Sequence, residues 1–202
     1  MRRLTLVRHG QTDWNLAGRI QGHTDIELND KGRWQAQRLA ERLAGERFDR
    51  VLCSDARRAR QTLAPYAQAS GCAVEYLAQL RERHFGAFEG QTYESLAQAR
   101  PQAFARLRAR DTAFELDGGE SLLQLRERIV TALEFALGRA QDESVLIVTH
   151  GGVLDLMYRH FLAMPLETPR QAEQLNAALN RVSLDQGRFS IDIWADAAHL
   201  DA

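Results

Sequence analysis

The chain has 202 residues, 45% of them hydrophobic and 26% charged, with a formal net charge of −1. That length buries one substantial core, and the composition is that of a globular domain, which excludes a disordered or fibrous chain. A charge near zero supplies no bulk field for nucleic acid or an anionic membrane, and the N-terminal apolar stretch is too short for a signal peptide or a membrane-crossing helix. The two cysteines, Cys53 and Cys72, lack metal-site spacing and read as small buried fillers in a reducing cytoplasm.

Leu4-Thr5-Leu6-Val7 reads as a buried strand, since aliphatic and β-branched residues pack well on a pleated surface. Gly10 lets the chain turn after it, and Thr12, Asp13 or Asn15 can cap the next element. Helical spacing of Trp34, Leu39 and Leu43 predicts a helix over Lys31–Glu46, capped by Asn29 or Asp30 and ending near Gly45. Arg50–Cys53 is a short strand, Arg58–Ser70 a helix stopped by Gly71, and Ala73–Tyr76 the next strand. Two polar helices follow, Tyr93–Arg100 and Gln102–Arg110, joined at Pro101. A long helix, Ser121–Gly138, precedes a second buried strand, Ser144–Thr149, and a helix over Val153–Leu162. The chain closes with a hairpin, Val182–Trp194, turned at Asp185-Gln186-Gly187. Alternating strands and helices predict a three-layer α/β/α sandwich in a single domain, with a mostly parallel sheet and at least one antiparallel strand.

Both apolar runs end in histidine and glycine: Arg8-His9-Gly10 after the first, His150-Gly151-Gly152 after the second. In an open α/β sheet, strand ends of this kind border the ligand crevice. An Arg fork suits phosphate, and a neutral imidazole nitrogen can act as a nucleophile. No pair among His23, His84, His160 and His199 has a metal-site spacing, so neither metal nor cofactor is expected.

Four ordered segments carry a resemblance. They are Arg8-His9-Gly10-Gln11-Thr12 with Asn15, Ser54 through Thr62, Leu80 through Gly90, and the strand ending at His150. Together with Gly22, Asp25, Leu28 and Gly32, and a tail from Asn176 to His199-Leu200, they resemble the histidine phosphatase superfamily, also called the phosphoglycerate mutase-like family. The family's fold agrees with the sandwich, and a lid-like insertion would span about residues 85–120.

The resemblance implies roles. His9 matches the family's nucleophile, which forms a phosphohistidine. Arg8 and Arg58 match its phosphate-binding arginines, and His150 its second histidine. Glu82 matches the acid/base position, with Glu89 as the rival read as structural. Such an acid must arrive protonated beside cations, which burial and the substrate's own charge would have to offset. Asn15 resembles a further phosphate contact, as does Gln21 with the backbone at Gly22; Gly151 and Gly152 could add helix N-terminal donors. Arg57 and Arg60 read as solvated helix residues.

The implied activity is hydrolysis of a small phosphomonoester by a metal-independent phosphatase. Asp117-Gly118-Gly119-Glu120-Ser121 resembles an element of the smaller phosphatases, and the interval from Glu82 to His150 is shorter than in the mutases. A cofactor-dependent phosphoglycerate mutase is the alternative, with Arg100, Arg106, Arg108 and Arg110 as candidates for a carboxylate clamp on an otherwise solvent-facing helix. A non-catalytic phospho-ligand-binding member ranks below both. Phe85, Phe88, Tyr93, Phe104 and Phe114 read as the insertion's own small core or as an apolar wall over the pocket. Exposed apolar residues of the terminal hairpin, Trp194 among them, leave monomer and homodimer open.

Overall fold

A computed structural model of the protein describes residues 1–138 and 143–201. Six strands form one sheet: β1 (Arg2–Arg8), β2 (Arg50–Ser54), β3 (Glu75–Leu77), β4 (Ser144–Thr149), β5 (Leu179–Asp185) and β6 (Arg188–Asp196). Their spatial order is β3-β2-β4-β1-β5-β6. The first four run parallel, while β5 pairs antiparallel with β1 and β6 with β5. The mixed, mostly parallel sheet is the expected one.

Helices cover both faces. Alternation along the central strands sends Leu4, Leu6, Leu52, Val145 and Ile147 to one face, where helices α6 (Leu122–Leu137) and α7 (Gly151–Phe161) cover them. Val7, Val51, Cys53, Leu146 and Val148 point to the other, against α2 (Asp30–Arg42) and α3 (Arg57–Ser70). Burial on two sides explains why these strands read as continuous apolar runs instead of an alternating pattern.

Local chemistry sets the helix ends. Thr12 and Asn15 form a capping box for the short α1 (Asp13–Leu16), Asn29 caps α2, and Ser121 with Gln124 caps α6. Pro101 occupies the first turn of α5 (Pro101–Arg108), which follows α4 (Tyr93–Ala99).

Several expectations are corrected. Trp34 is 38% exposed; Gln35 takes the inward position below Leu39, with its Oε1 accepting the Gln11 N–H at 2.8 Å. One residue is about 100° of helix, enough to move a side chain from core to solvent. Cys53 is buried, but Cys72 is only half-buried. The strand expected over Ala73–Tyr76 is the three-residue edge strand β3. Trp194 is not a free surface group: its ring packs 4.8 Å from Tyr158, and Nε1 donates to the Glu173 carbonyl at 2.9 Å. The residues from Phe85 to Leu116 do form a small core, with Ile20, Phe88, Leu96 and Leu116 at its centre and Phe104 and Phe114 packed against it. No described helix is long and apolar enough to cross a membrane.

Candidate active site

Strands β2, β4 and β1 lie side by side and parallel, so Ser54, His150 and His9 leave the sheet at the same edge. The His9 N–H extends the ladder one step, donating to the Thr149 carbonyl at 2.9 Å. A cleft of about 170 Å³ opens there, and Arg8, His9, Asn15, Gln21, Gly22, Arg58, Glu82 and Gly151 all line it. Segments up to 162 residues apart in sequence thus share one small volume, from Arg8 to Arg170.

The geometry of His9 selects its tautomer. Nδ1 lies 2.7 Å from the Gly10 carbonyl; a carbonyl only accepts, so Nδ1 carries the proton and Nε2 keeps its lone pair. Burial, then the guanidinium groups of Arg58 and Arg8, hold the His9 pKa well below 6.5. The imidazole is therefore neutral at physiological pH. The chain around it is fastened as well: Asn176 Nδ2 donates to the His9 carbonyl at 2.8 Å, and Thr62 Oγ1 accepts the Gly10 N–H at 2.8 Å.

Arg58 is 1% exposed, with Nη1 donating to the Thr24 carbonyl at 3.0 Å and Nη2 to that of Gly22 at 2.8 Å. Gly22 has φ +55, and a Cβ there would lie 2.0 Å from Glu89 Oε1, so only glycine fits this turn. Arg8 Nη1 donates to the Gln174 carbonyl at 2.5 Å. Burial lowers the Arg8 pKa to about 10, opposed by Glu82 and helped by Arg170 and Arg58; the group stays charged at neutral pH. Arg57 pairs with exposed Glu27, and Arg60 stacks on Tyr76, both outside the cleft.

His150 is not part of the cleft wall. It is fully buried behind His9, with Nε2 2.8 Å from Ser54 Oγ. Six buried side-chain atoms among the described residues lack a hydrogen-bond partner, and four of them cluster here: Arg8 Nε, Arg58 Nε, His150 Nδ1 and Gln21 Oε1. Buried polar atoms are rarely left unpaired, so their convergence marks a place built for a ligand's oxygens. The Gln21 amide serves such a ligand as a donor when turned over.

The two carboxylates differ sharply. Glu82 lines the cleft, with Oε1 accepting the Arg83 N–H at 2.8 Å and Oε2 the Gly152 N–H at 2.9 Å. Gly152 therefore gives its N–H to Glu82, which corrects the expectation that it points into the pocket. Glu89 lies outside the wall and accepts from His23 N, Thr24 N and Phe85 N at 2.9, 2.7 and 3.0 Å. Burial raises its pKa, but the bonds from Thr24, His23 and Phe85 outweigh that and lower it. A carboxylate held ionised by four donors, those three N–H groups and the Thr24 hydroxyl, is a brace for the Gly22–Thr24 turn. His23 and His84 stack at 4.5 Å, and His23 Nε2 donates to the Glu82 carbonyl at 3.0 Å. His23 thus lies beside the acid, with His84 stacked on it.

Arg19, Tyr93 and Arg170 also line the cleft, and sequence reasoning assigned them no contact with the phosphate. No local pattern marks Arg170, which lies in a loop. Ser54 could have been found, since it ends a strand parallel to the two that carry the histidines. Among the described residues no three His, Cys, Asp or Glu side chains come together in a way that could hold a metal ion.

A family model described as the histidine phosphatase superfamily (branch 1) matches residues 4–197. The chain belongs to this superfamily. Among its relatives, phosphoglycerate mutase-like protein 4 of Arabidopsis thaliana is 40% identical, covering 98% of this chain and 86% of that protein. The metal-independent phosphoserine phosphatase of the same plant is 38% identical over 98% of this chain and 83% of its own length. The solved structure of Bacillus stearothermophilus YhfR superposes with a TM-score of 0.92 at 30% identity, covering 100% of both chains. Phosphatases thus stand among the relatives of this histidine phosphatase superfamily member, and its fold is theirs.

Proposed function

We propose that the protein hydrolyses small phosphomonoesters through a phosphohistidine on His9, without a metal. The observation that carries this reading is the state of His9: a neutral ring with its proton fixed on Nδ1, set in a cleft lined by Arg8 and Arg58. The Nε2 lone pair attacks phosphorus as the phosphorus–oxygen bond to the alcohol breaks, and Glu82 gives its proton to the departing oxygen. Arg8, Arg58 and His150 stabilise the charge on the non-bridging oxygens, with Asn15, Gln21, Gly22 and Gly151 completing the cradle. Water then attacks the phosphohistidine, Glu82 takes the water's proton, phosphate leaves, and His9 is restored. On this reading the leaving group departs beside the start of α7, where the Gly152 N–H holds Glu82.

The test is phosphate release in chelator from p-nitrophenyl phosphate, sugar phosphates, nucleotides and 3-phosphoglycerate, with His9→Ala alongside. His9-dependent release, with radiolabel trapped on the wild-type protein in acid-labile form, is the expected result. Isomerisation of 3-phosphoglycerate faster than phosphate release would replace hydrolase by mutase, and undiminished turnover by His9→Ala would remove His9 from the reaction.

A further inference from the structure

Glu82 stands on irregular backbone. After a single 3₁₀ turn, Ala78–Leu80, the chain from Arg81 to Phe85 belongs to no helix or strand. Groups carried on such a stretch are placed less precisely than those on helices and strands, and no regular ladder there satisfies the carbonyls. Side chains from elsewhere do so. Arg128 on α6 donates from Nη1 to the carbonyls of Gln79 and Arg81 at 2.7 and 2.9 Å, and from Nη2 to that of Glu82 at 3.2 Å. Thr149 Oγ1 donates to the Leu80 carbonyl at 2.7 Å, and His23 Nε2 shares the carbonyl of Glu82. Consecutive carbonyls from Gln79 to Glu82 are thereby fixed.

Glu120, in the Asp117–Ser121 motif, aims that guanidinium. Its Oε2 accepts from Nη2 at 2.7 Å and its Oε1 from Nε at 3.3 Å, a forked pairing that sets the plane of the group as well as its position. The five N–H groups of Arg128 are then all placed, on one carboxylate and three carbonyls. Glu120 is also tied to the acid's own segment. Its N–H donates to the His84 carbonyl at 2.9 Å, and its Oε2 accepts the His84 N–H at 2.9 Å. Gly119 permits this close approach, since a Cβ there would lie 2.4 Å from the His84 oxygen. The side chains of Arg128 and Glu120 are 21% and 15% exposed, shielded enough to hold one geometry where a surface ion pair does not.

We infer that Arg128 and Glu120 are positioning residues for Glu82. Neither lines the phosphoryl cleft; they act by fixing the backbone on either side of the acid, so that its carboxylate stays on the Arg83 and Gly152 N–H groups. This rests on the hydrolase reading for the role it gives Glu82. The shape of the fork matters and not its charge alone. A lysine carries three donors on one point and cannot span three carbonyls and a carboxylate.

The experiment follows glycerol 3-phosphate hydrolysis and the nitrophenol burst from p-nitrophenyl phosphate in Arg128→Lys and Arg128→Gln, each alone and combined with Glu82→Gln. A misplacement of about 1 Å costs on the order of 10²-fold. The kcat on glycerol 3-phosphate is expected to fall by about that factor in both variants, with KM and the burst changing far less. In the Glu82→Gln background the same substitutions cost about twofold at most, because a group that acts through Glu82 has nothing left to place. Arg128→Lys keeps the charge opposite Glu120 and so tests the point even where Arg128→Gln unfolds. Full activity in Arg128→Lys, or a loss equally large with and without Glu82, overturns the inference. Where Glu82→Gln alone costs nothing, or no ester is turned over, the hydrolase reading fails by itself and amide exchange decides the positioning. The Arg83 and Gly152 N–H groups are expected to exchange about tenfold faster or more in Arg128→Lys, as loss of a bond to a charged group implies, while the β4 amides keep their protection. Unchanged exchange at both overturns it.

Discussion

The rings of His9 and His150 lie 5.1 Å apart, tilted by 60°. Both are buried, and for both burial first and the Arg58 guanidinium second push the pKa well below 6.5. Each ring is kept neutral by the same two causes, and His9 adds to the reluctance of His150 to take a proton. The pair concentrates acid sensitivity at the centre of the sheet.

Stability therefore depends on pH. Below about pH 6.5 the unfolded chain protonates both rings while the folded one does not, so the unfolded state binds more protons and stability falls as pH falls. Each ring contributes a slope of up to about 1.4 kcal/mol per pH unit between its unfolded and folded pKa values. Urea unfolding at pH 7.5, 6.0 and 5.0 is expected to show a steady loss across the lower interval and little change above pH 7. A flat profile would mean that both rings take protons in the native state as readily as in the unfolded one.

Glu82→Gln separates acid catalysis from binding. The p-nitrophenolate leaving group departs without a proton, whereas an alkoxide needs one. The variant is expected to lose about 10²- to 10⁴-fold in kcat on glycerol 3-phosphate, and much less in the first step on p-nitrophenyl phosphate, seen as a burst of nitrophenol. Equal losses in both first steps would assign the proton to another group.

Gly152→Ala tests the placement of that carboxylate. A Cβ at this position would lie 2.2 Å from Glu82 Oε1, so the carboxylate must leave the Gly152 N–H. Displacement of about 1 Å costs on the order of 10²-fold in rate, while alanine in a helical turn is about 1 kcal/mol more favourable than glycine. The expected outcome is a protein with an unchanged or raised Tm and a strongly reduced kcat. Retained activity would show that the N–H···Glu82 bond positions nothing.

Much of this was legible along the chain because the signals are local. The run Ser144–Thr149 is a strand to the residue, since four apolar residues between polar ends have one way to be buried on both faces. Asn29 caps α2 as expected, because a side-chain oxygen three residues before an orphan N–H is a local matter. Trp34 failed for the complementary reason. Its spacing is compatible with two helix faces, and only the packing of α2 against the chain at Gln11 and α3 chooses between them.

The site divides in the same way. Arg8, His9, Arg58, Glu82 and His150 stand in motifs that the sequence displays, and the fold brings the cleft residues and buried His150 together at one sheet edge. That His9 is neutral with its proton on Nδ1, that Glu89 is a brace, and that Arg128 holds the carbonyls of Gln79, Arg81 and Glu82 are tertiary facts. Residue type and order determined which elements form and which chemistry is available, because backbone hydrogen bonding and apolar periodicity act over a few residues. Charge state, hydrogen-bond partner and the placement of Glu82 were decided only by the folded structure, because burial and Coulomb forces depend on distances in space between residues that are far apart in the chain.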